Sequence, residues 1–406
     1  MEEYEALLVI GGKNKNGSLD TSELLQMNTH LPKVRAFCNI TKFPKKIHGA
    51  TGALLSNDMP IVCGGSTKSV LATKECYVLR NCQNGCFRFT GHGFSHVGFW
   101  SPINMTQART HASSVPINST HLWVTGGRGN SGTGKFKKTT ELINVRDNTS
   151  NLYYELENGI EDHAMVHIDN IQLTVIIGGK IDTIRHGEAS NKTYLFDHNS
   201  ESFESGPPLL QSRYGHSAGV IYADKGTIRE KVGIAVVGGC VDTQHCLNSV
   251  EILWDICPNA QWISGPSLNF EVGQPGAVLS EMLKIDYTKA ILDKTGQSVS
   301  IPDFENQEGP IIGHKIVHSN DGNLVMVGGY KNSTGSWSNV IRRLRCRTYK
   351  KDLNPICDWR DMYDGELAIG RVDHVPMMLH HDICNTFFRI QNKLIFFLLN
   401  KYFFQY

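Results

Sequence analysis

The sequence predicts an all-β chain built as a β-propeller, and three recurring features predict it: a glycine pair closing an apolar run, a histidine opening the run before it, and a mixed polar and aromatic strand after it. The pair occurs six times, in LLVIGG (Gly11, Gly12), PIVCGG (Gly64, Gly65), LWVTGG (Gly126, Gly127), TVIIGG (Gly178, Gly179), IAVVGG (Gly238, Gly239) and LVMVGG (Gly328, Gly329). Glycine weakens a strand interior, so a pair at a strand end marks positive φ or a close pass of backbone against backbone. The intervals are 53, 62, 52, 60 and 90 residues, and the first four lie near the roughly 50-residue period of propeller repeats.

The first strand of each unit opens near a histidine: His48, His111, His163, His216, His314 and His374. These are read as one position repeated. The interval that is too long contains VGQPGAVL, with Gln274 where the histidine would stand, which gives seven first strands against six glycine pairs. The second strand is the apolar run itself. Third strands follow at 21–27, 75–79, 140–145, 192–197, 249–255 and 339–346, where alternation combines with β-branched and aromatic residues. Fourth strands end near Trp100, Glu204, Trp262 and Trp359. Four short strands make one blade.

WSPINMTQARTH at 100–111 and ESGPPLLQSRYGH at 204–216, read with the doubled glycine, resemble the kelch repeat family. The resemblance covers residues 6–382 and implies a kelch-type β-propeller of seven four-stranded blades, with six blades and an insertion as the alternative. Residues 1–385 are read as one domain, and 386–406 as a non-repeat aromatic tail. The sequence enters at a second strand, EALLVIGG, and carries an orphan first strand, RVDHVPMML, near its end. The two are expected to share a blade and close the ring, which removes open sheet edges.

With 40 basic and 39 acidic residues the net charge is +1, so no global footprint for nucleic acid appears. No stretch reaches the ~20 apolar residues of a membrane span. Sequons stand at Asn16, Asn39, Asn104, Asn118, Asn148, Asn191 and Asn332 beside eleven cysteines, and both point to an extracellular or secretory compartment. MEEYEALLVIGG lacks the features of a signal peptide; a cytoplasmic protein with reduced thiols is the alternative. Cys240 with Cys246, and Cys346 with Cys357, are read as disulfides. The latter pair flanks RTYKKDLNPI, whose Asn354-Pro355 supplies a turn.

No cofactor or metal site is read. Residues repeated once per blade are spread around a ring, so the histidines are structural. His163 with His167, and His314 with His318, lie roughly 13 Å apart on a strand, too far for one ion. Adjacent His380 and His381 point to opposite faces. Cys82 and Cys86 lack a second pair in zinc-site register. The resemblance admits sugar-active propeller enzymes, an oxidase or epimerase, and intracellular adaptors of ubiquitin ligases. Walker, Rossmann and nucleophile-elbow motifs are missing from this sequence, and no BTB domain precedes the ring in it.

The sequence is therefore read as a non-enzymatic interaction module that presents propeller loops to a protein or glycan partner. Loops 128–138 and 180–190 are the longest and most polar. Arg343, Arg345 and Arg347 alternate along one strand at about 6.6 Å intervals, a row expected on an outer, solvent-open strand and suited to an anionic partner.

Overall fold

The computed structural model describes residues 4–266 apart from 29–33, 40–41, 56–58, 81–86, 91–92, 97–98, 131–134, 183–186, 224–230, 243–244, 255 and 258, followed by 272–273, 311–312, 315–318, 324–331, 336–347, 356–367 and 374–379. Among them the only helical element is the 3-10 turn Asp169–Ile171. The rest is antiparallel β structure in four-stranded units, the architecture of a β-propeller.

The first sheet orders Val375–Leu379, Tyr4–Ile10, Ser22–Asn28 and Val34–Asn39. The second orders Thr51–Leu55, Met59–Cys63, Thr73–Arg80 and Phe99–Arg109. The third runs Ser113–Pro116, His121–Thr125, Thr139–Asn144 and Thr149–Glu155, and the fourth Ala164–Ile168, Leu173–Ile177, Thr193–Asp197 and Ser202–Ser205. The fifth holds Ser217–Ala223, Lys231–Val237, Val250–Trp254 and Trp262–Ser264. The sixth holds Lys315–His318, Leu324–Lys331, Ser336–Arg347 and Ile356–Glu366, and meets the fifth through the parallel bridge Ala223–Cys346.

The orphan strand does pair with the N-terminal one, in the register Val375–Ile10 to Leu379–Ala6. First strands of successive sheets touch, and Val375–Leu379 touches both Thr51–Leu55 and Lys315–His318. The segment containing Gln274 lies outside the described residues, as do His314, Asn332, Cys82, Cys86, His380, His381 and the tail at 386–406.

Each second strand is apolar over most of its length because both of its faces are buried. Leu8 and Ile10 pack toward Val62 of the second sheet and Phe43 of the chain entering it, whereas Leu7 and Val9 pack toward Val325, Val327 and Ile341 of the sixth. Alternate residues of one strand thus serve two junctions, as the two-residue period requires. Trp123 and Phe196 fill the junction of the third and fourth sheets, and Ile234, Val236 and Trp262 that of the fourth and fifth. The core is a set of sheet-to-sheet interfaces with no single centre.

Candidate functional site at the glycine pole

The glycine pairs sit where one sheet meets the next. In the first five units both glycines have positive φ, between 55° and 96°. The second N–H donates to a carbonyl of the chain entering the following sheet: Gly12 to Ile47 at 2.9 Å, Gly65 to Arg109 at 2.7 Å, Gly127 to Ile160 at 2.7 Å and Gly179 to Arg213 at 2.8 Å. A β-carbon at Gly126 would lie 2.3 Å from the Ile160 carbonyl oxygen. Close passage of backbone on backbone, together with the left-handed φ, explains both glycines.

Two residues after those carbonyls the entering chain makes a left-handed turn, at Gly49 (φ 61°), His111 (φ 54°), Asp162 (φ 51°) and Gly215 (φ 63°). These turns are hydrogen-bonded in sequence from sheet to sheet. His111 N–H donates to Gly49 O at 2.9 Å, Asp162 N–H to His111 O at 3.1 Å, and Gly215 N–H to Asp162 O at 2.6 Å. Non-glycine residues rarely hold such a φ. Here the two that do hold it also join through their side chains, His111 Nδ1 to Asp162 Oδ1 at 3.0 Å, and both are partly exposed.

Charged groups surround this pair. Arg128 grips Glu161 with Nε at 3.0 Å and Nη2 at 2.5 Å, and Lys180 Nζ stands 3.9 Å from the centroid of the Tyr214 ring. Burial raises the Glu161 pKa, and neighbouring Asp162 raises it further against the lowering effect of Arg128. Burial likewise pushes the Tyr214 hydroxyl to about 12, helped by the charge of Asp162. Arg128 and Lys180 open the two loops singled out in the sequence, so both loops start beside the turn belt.

The repeated histidines do not share one position, which corrects the sequence reading. A β-carbon added at Gly65, Gly127, Gly179 or Gly239 would meet the Cβ of Ala50, Ala112, His163 or His216 respectively; that is the shared position, and only two of these four residues are histidine. His374 precedes Val375 as His216 precedes Ser217, so it belongs there too. His48 instead stands opposite Ser66, where other units place Thr110, Glu161 and Tyr214, and His111 is the turn residue. The short spacing between histidine and strand hid shifts of one and two residues. His216 Nε2 lies 3.1 Å from Ile177 O of the preceding sheet, a structural contact.

Sequence reading missed the buried ion pairs. Arg109 and Glu141 are both fully buried and meet at 2.9 Å, and Arg213 pairs with Glu251 in the same way. The signal was present in Gln-Ala-Arg and Gln-Ser-Arg ahead of the third and fifth sheets, with Glu141 and Glu251 following Thr140 and Val250. In the second and fourth sheets the matching positions are Ile47 with Tyr77 and Ile160 with Tyr194.

Among the described residues three cysteine pairs stand at disulfide distance. Cys240–Cys246 and Cys346–Cys357 have Cα separations of 3.8 and 4.0 Å. The third, Cys63–Cys76 at 4.0 Å, escaped the sequence reading because 13 residues separate its members; it lies where the residue before the glycine pair opposes the third strand. Asn16, Asn104, Asn118, Asn148 and Asn191 are exposed.

The arginine row is not where it was expected. Ser336–Arg347 is a third strand with neighbours on both sides, and Ile356–Glu366 covers its outer edge. Arg343 is partly buried and shares the parity of Ile341, which packs on the first sheet, so alternation turns it toward a neighbouring sheet. In the register Arg345 stands opposite Asp358 and Arg347 opposite Ile356.

Among the described residues no group of three or more His, Cys, Asp or Glu side chains could hold a metal ion, and no helix is long and apolar enough to cross a membrane. No protein-family model matches the chain, and no curated protein does. Among solved structures, one titled "Structure of YjhT" is similar over 79% of this chain and 99% of its own, at 13% identity and a TM-score of 0.49.

Proposed function

We propose that this chain is a kelch-like propeller whose six described sheets close a six-membered ring, and that it acts as an extracellular interaction module receiving a protein or glycan partner at the glycine pole. The single observation carrying the pole assignment is the turn belt. Glycine fills the left-handed turn at 49 and 215, whereas His111 and Asp162 hold it with side chains that meet each other. A strained turn retained where glycine would serve is a mark of a functional site. Exposed sequons and the three cysteine pairs at bonding distance among the described residues support an oxidising compartment.

The test combines stability with capture. The double variant His111→Gly/Asp162→Gly removes two unfavourable turn residues, so its unfolding midpoint stays level or rises. Its capture of binding partners from the extracellular fluid of its own source should fall sharply. Capture equal to that of the parent would remove the turn pair from the site.

A further inference from the structure

Although the chain as a whole is nearly neutral, the glycine pole is polarised. Residues 13–20, 42–50, 66–72, 128–130 and 135–138 carry ten Lys and Arg residues against the one carboxylate of Asp20. Further round the pole, residues 155–162, 180–182, 187–190 and 240–242 carry seven carboxylates against one cation, Lys180. Internal pairing accounts for part of the basic half: Lys45 with Glu75, Arg128 with Glu161, Lys138 with Glu155, and Lys137 with the Gln107 carbonyl. Lys13, Lys15, Lys42, Lys46, Lys68 and Lys135 remain exposed, with no ion pair among the described residues.

These segments adjoin one another. Leu19 bridges to Ile47 and His48 to Ser66, and the Asn130 side chain both accepts from Ala72 N–H and donates to Ala72 O at 2.7 Å. At their centre Val70 and Leu71 are 41% and 72% exposed. That exposure is built in, because the loop is pinned from inside. Thr67 N–H donates to Val70 O at 2.9 Å, Val70 N–H to Thr67 Oγ1 at 3.1 Å, and Ser66 Oγ to Leu71 O at 2.5 Å.

We infer that this basic arc docks an acidic protein segment that carries at least one apolar side chain, a reading that rests on the pole being the partner face. Lysines around the arc supply attraction and steering, while Val70 and Leu71 offer apolar surface that a sulfated glycan has nothing to bury against. A long polyanion crossing the face would also meet the carboxylates of Glu157, Asp162, Asp182, Glu188 and Asp242, whereas a short segment confined to the arc avoids them.

A random dodecapeptide display library panned on the full chain at physiological salt tests this. Selected peptides should be rich in Asp and Glu and carry Leu, Phe or similar residues, and the synthetic consensus should bind more weakly as salt rises. Replacing the six lysines with Gln should weaken that peptide by about tenfold or more, with Leu71→Ser weakening it further while sparing polyglutamate. Circular dichroism and the unfolding midpoint verify that both variants are folded. Selection of neutral or basic peptides that protect residues 66–72 and 128–130 from hydrogen exchange overturns the acidic partner but keeps the pole as the docking face. No selection, or protection confined to other surfaces, overturns both. Heparin binding that needs the lysines and ignores Leu71→Ser also overturns the inference, in favour of a glycan.

Discussion

Glu141 shows how completely a buried charge near the pole is satisfied. It accepts from the backbone of Thr106 and Gln107, from Ser150 Oγ and from Arg109, whose Nη1 also reaches the carbonyls of Gly126 and Thr139 at 2.8 Å. Such a pair ties the end of the second sheet to the third, and removing one partner strands the other charge. Arg109→Met or Glu141→Leu alone is expected to destabilise by about 3–5 kcal/mol, and the double variant by less than the sum, in a double-mutant cycle of denaturant midpoints. Additive losses would show that the pair is not coupled. The buried histidines supply a pH dependence. Burial holds His163 at about 4 and His216 at about 3, against a free value near 6.5. The His216 value, lowered first by burial and then by the charge of Arg213, follows from its place between the fourth and fifth sheets. Between the folded and free values the unfolded chain binds more protons, so stability present above pH ~6.5 is lost as pH falls toward 4, by up to ~1.4 kcal/mol per pH unit for each histidine. Unfolding midpoints measured from pH 7 to pH 4 should show that slope, and His216→Gln should flatten it. A flat profile in the parent would mean these imidazoles are not held neutral by burial.

At the scale of strands and loops, what the sequence made legible was whatever repeats with fixed local spacing. The apolar run ending in Gly-Gly is a second strand in every described unit, and third strands begin within a few residues of their expected places, as at Ser22–Asn28 and Val250–Trp254. What stayed hidden depends on pairing between distant segments. Glu141 meets Arg109 from 32 residues away, and Cys63 meets Cys76 only because two strands align in one register. The arginine row failed for the same reason: alternation gives two faces but does not say which neighbour each face meets, and Arg343 falls on the face shared with Ile341. The turn pair at His111 and Asp162 was obscured by treating the histidines as one position. The Cys346–Cys357 bond belongs to this scale, since it fastens the third strand of the sixth sheet to the fourth. Peptide mapping without reductant should recover the two cysteines linked, and Cys346→Ser/Cys357→Ser should lower stability by about 2–4 kcal/mol. Recovery of both as free thiols would count against the bond and against the oxidising compartment together.

For the whole molecule, the decisive element is the strand Val375–Leu379, which pairs with Tyr4–Ile10 across nearly the full length of the sequence. Its Val375 and Met377 are buried in the cluster that holds Val62 of the second sheet, and its neighbours on either side are the first strands of the second and sixth sheets. The proposed ring, closed by one such strand, concentrates its vulnerability there, because losing the strand exposes both the edge of Tyr4–Ile10 and the apolar faces that Leu7 and Leu8 turn to opposite sides. Deleting residues 370–406 should therefore lower the soluble yield and the unfolding midpoint together. Deleting only 386–406 leaves that strand in place and should leave both unchanged. The two truncations are compared by size-exclusion chromatography and thermal unfolding, and the shorter one acts as the control for loss of the aromatic tail. If both behave like the parent, the sheets hold together without the closing strand, and the closed six-membered ring is the wrong description. If both aggregate, the tail takes part in the fold, and the boundary at 385 is misplaced.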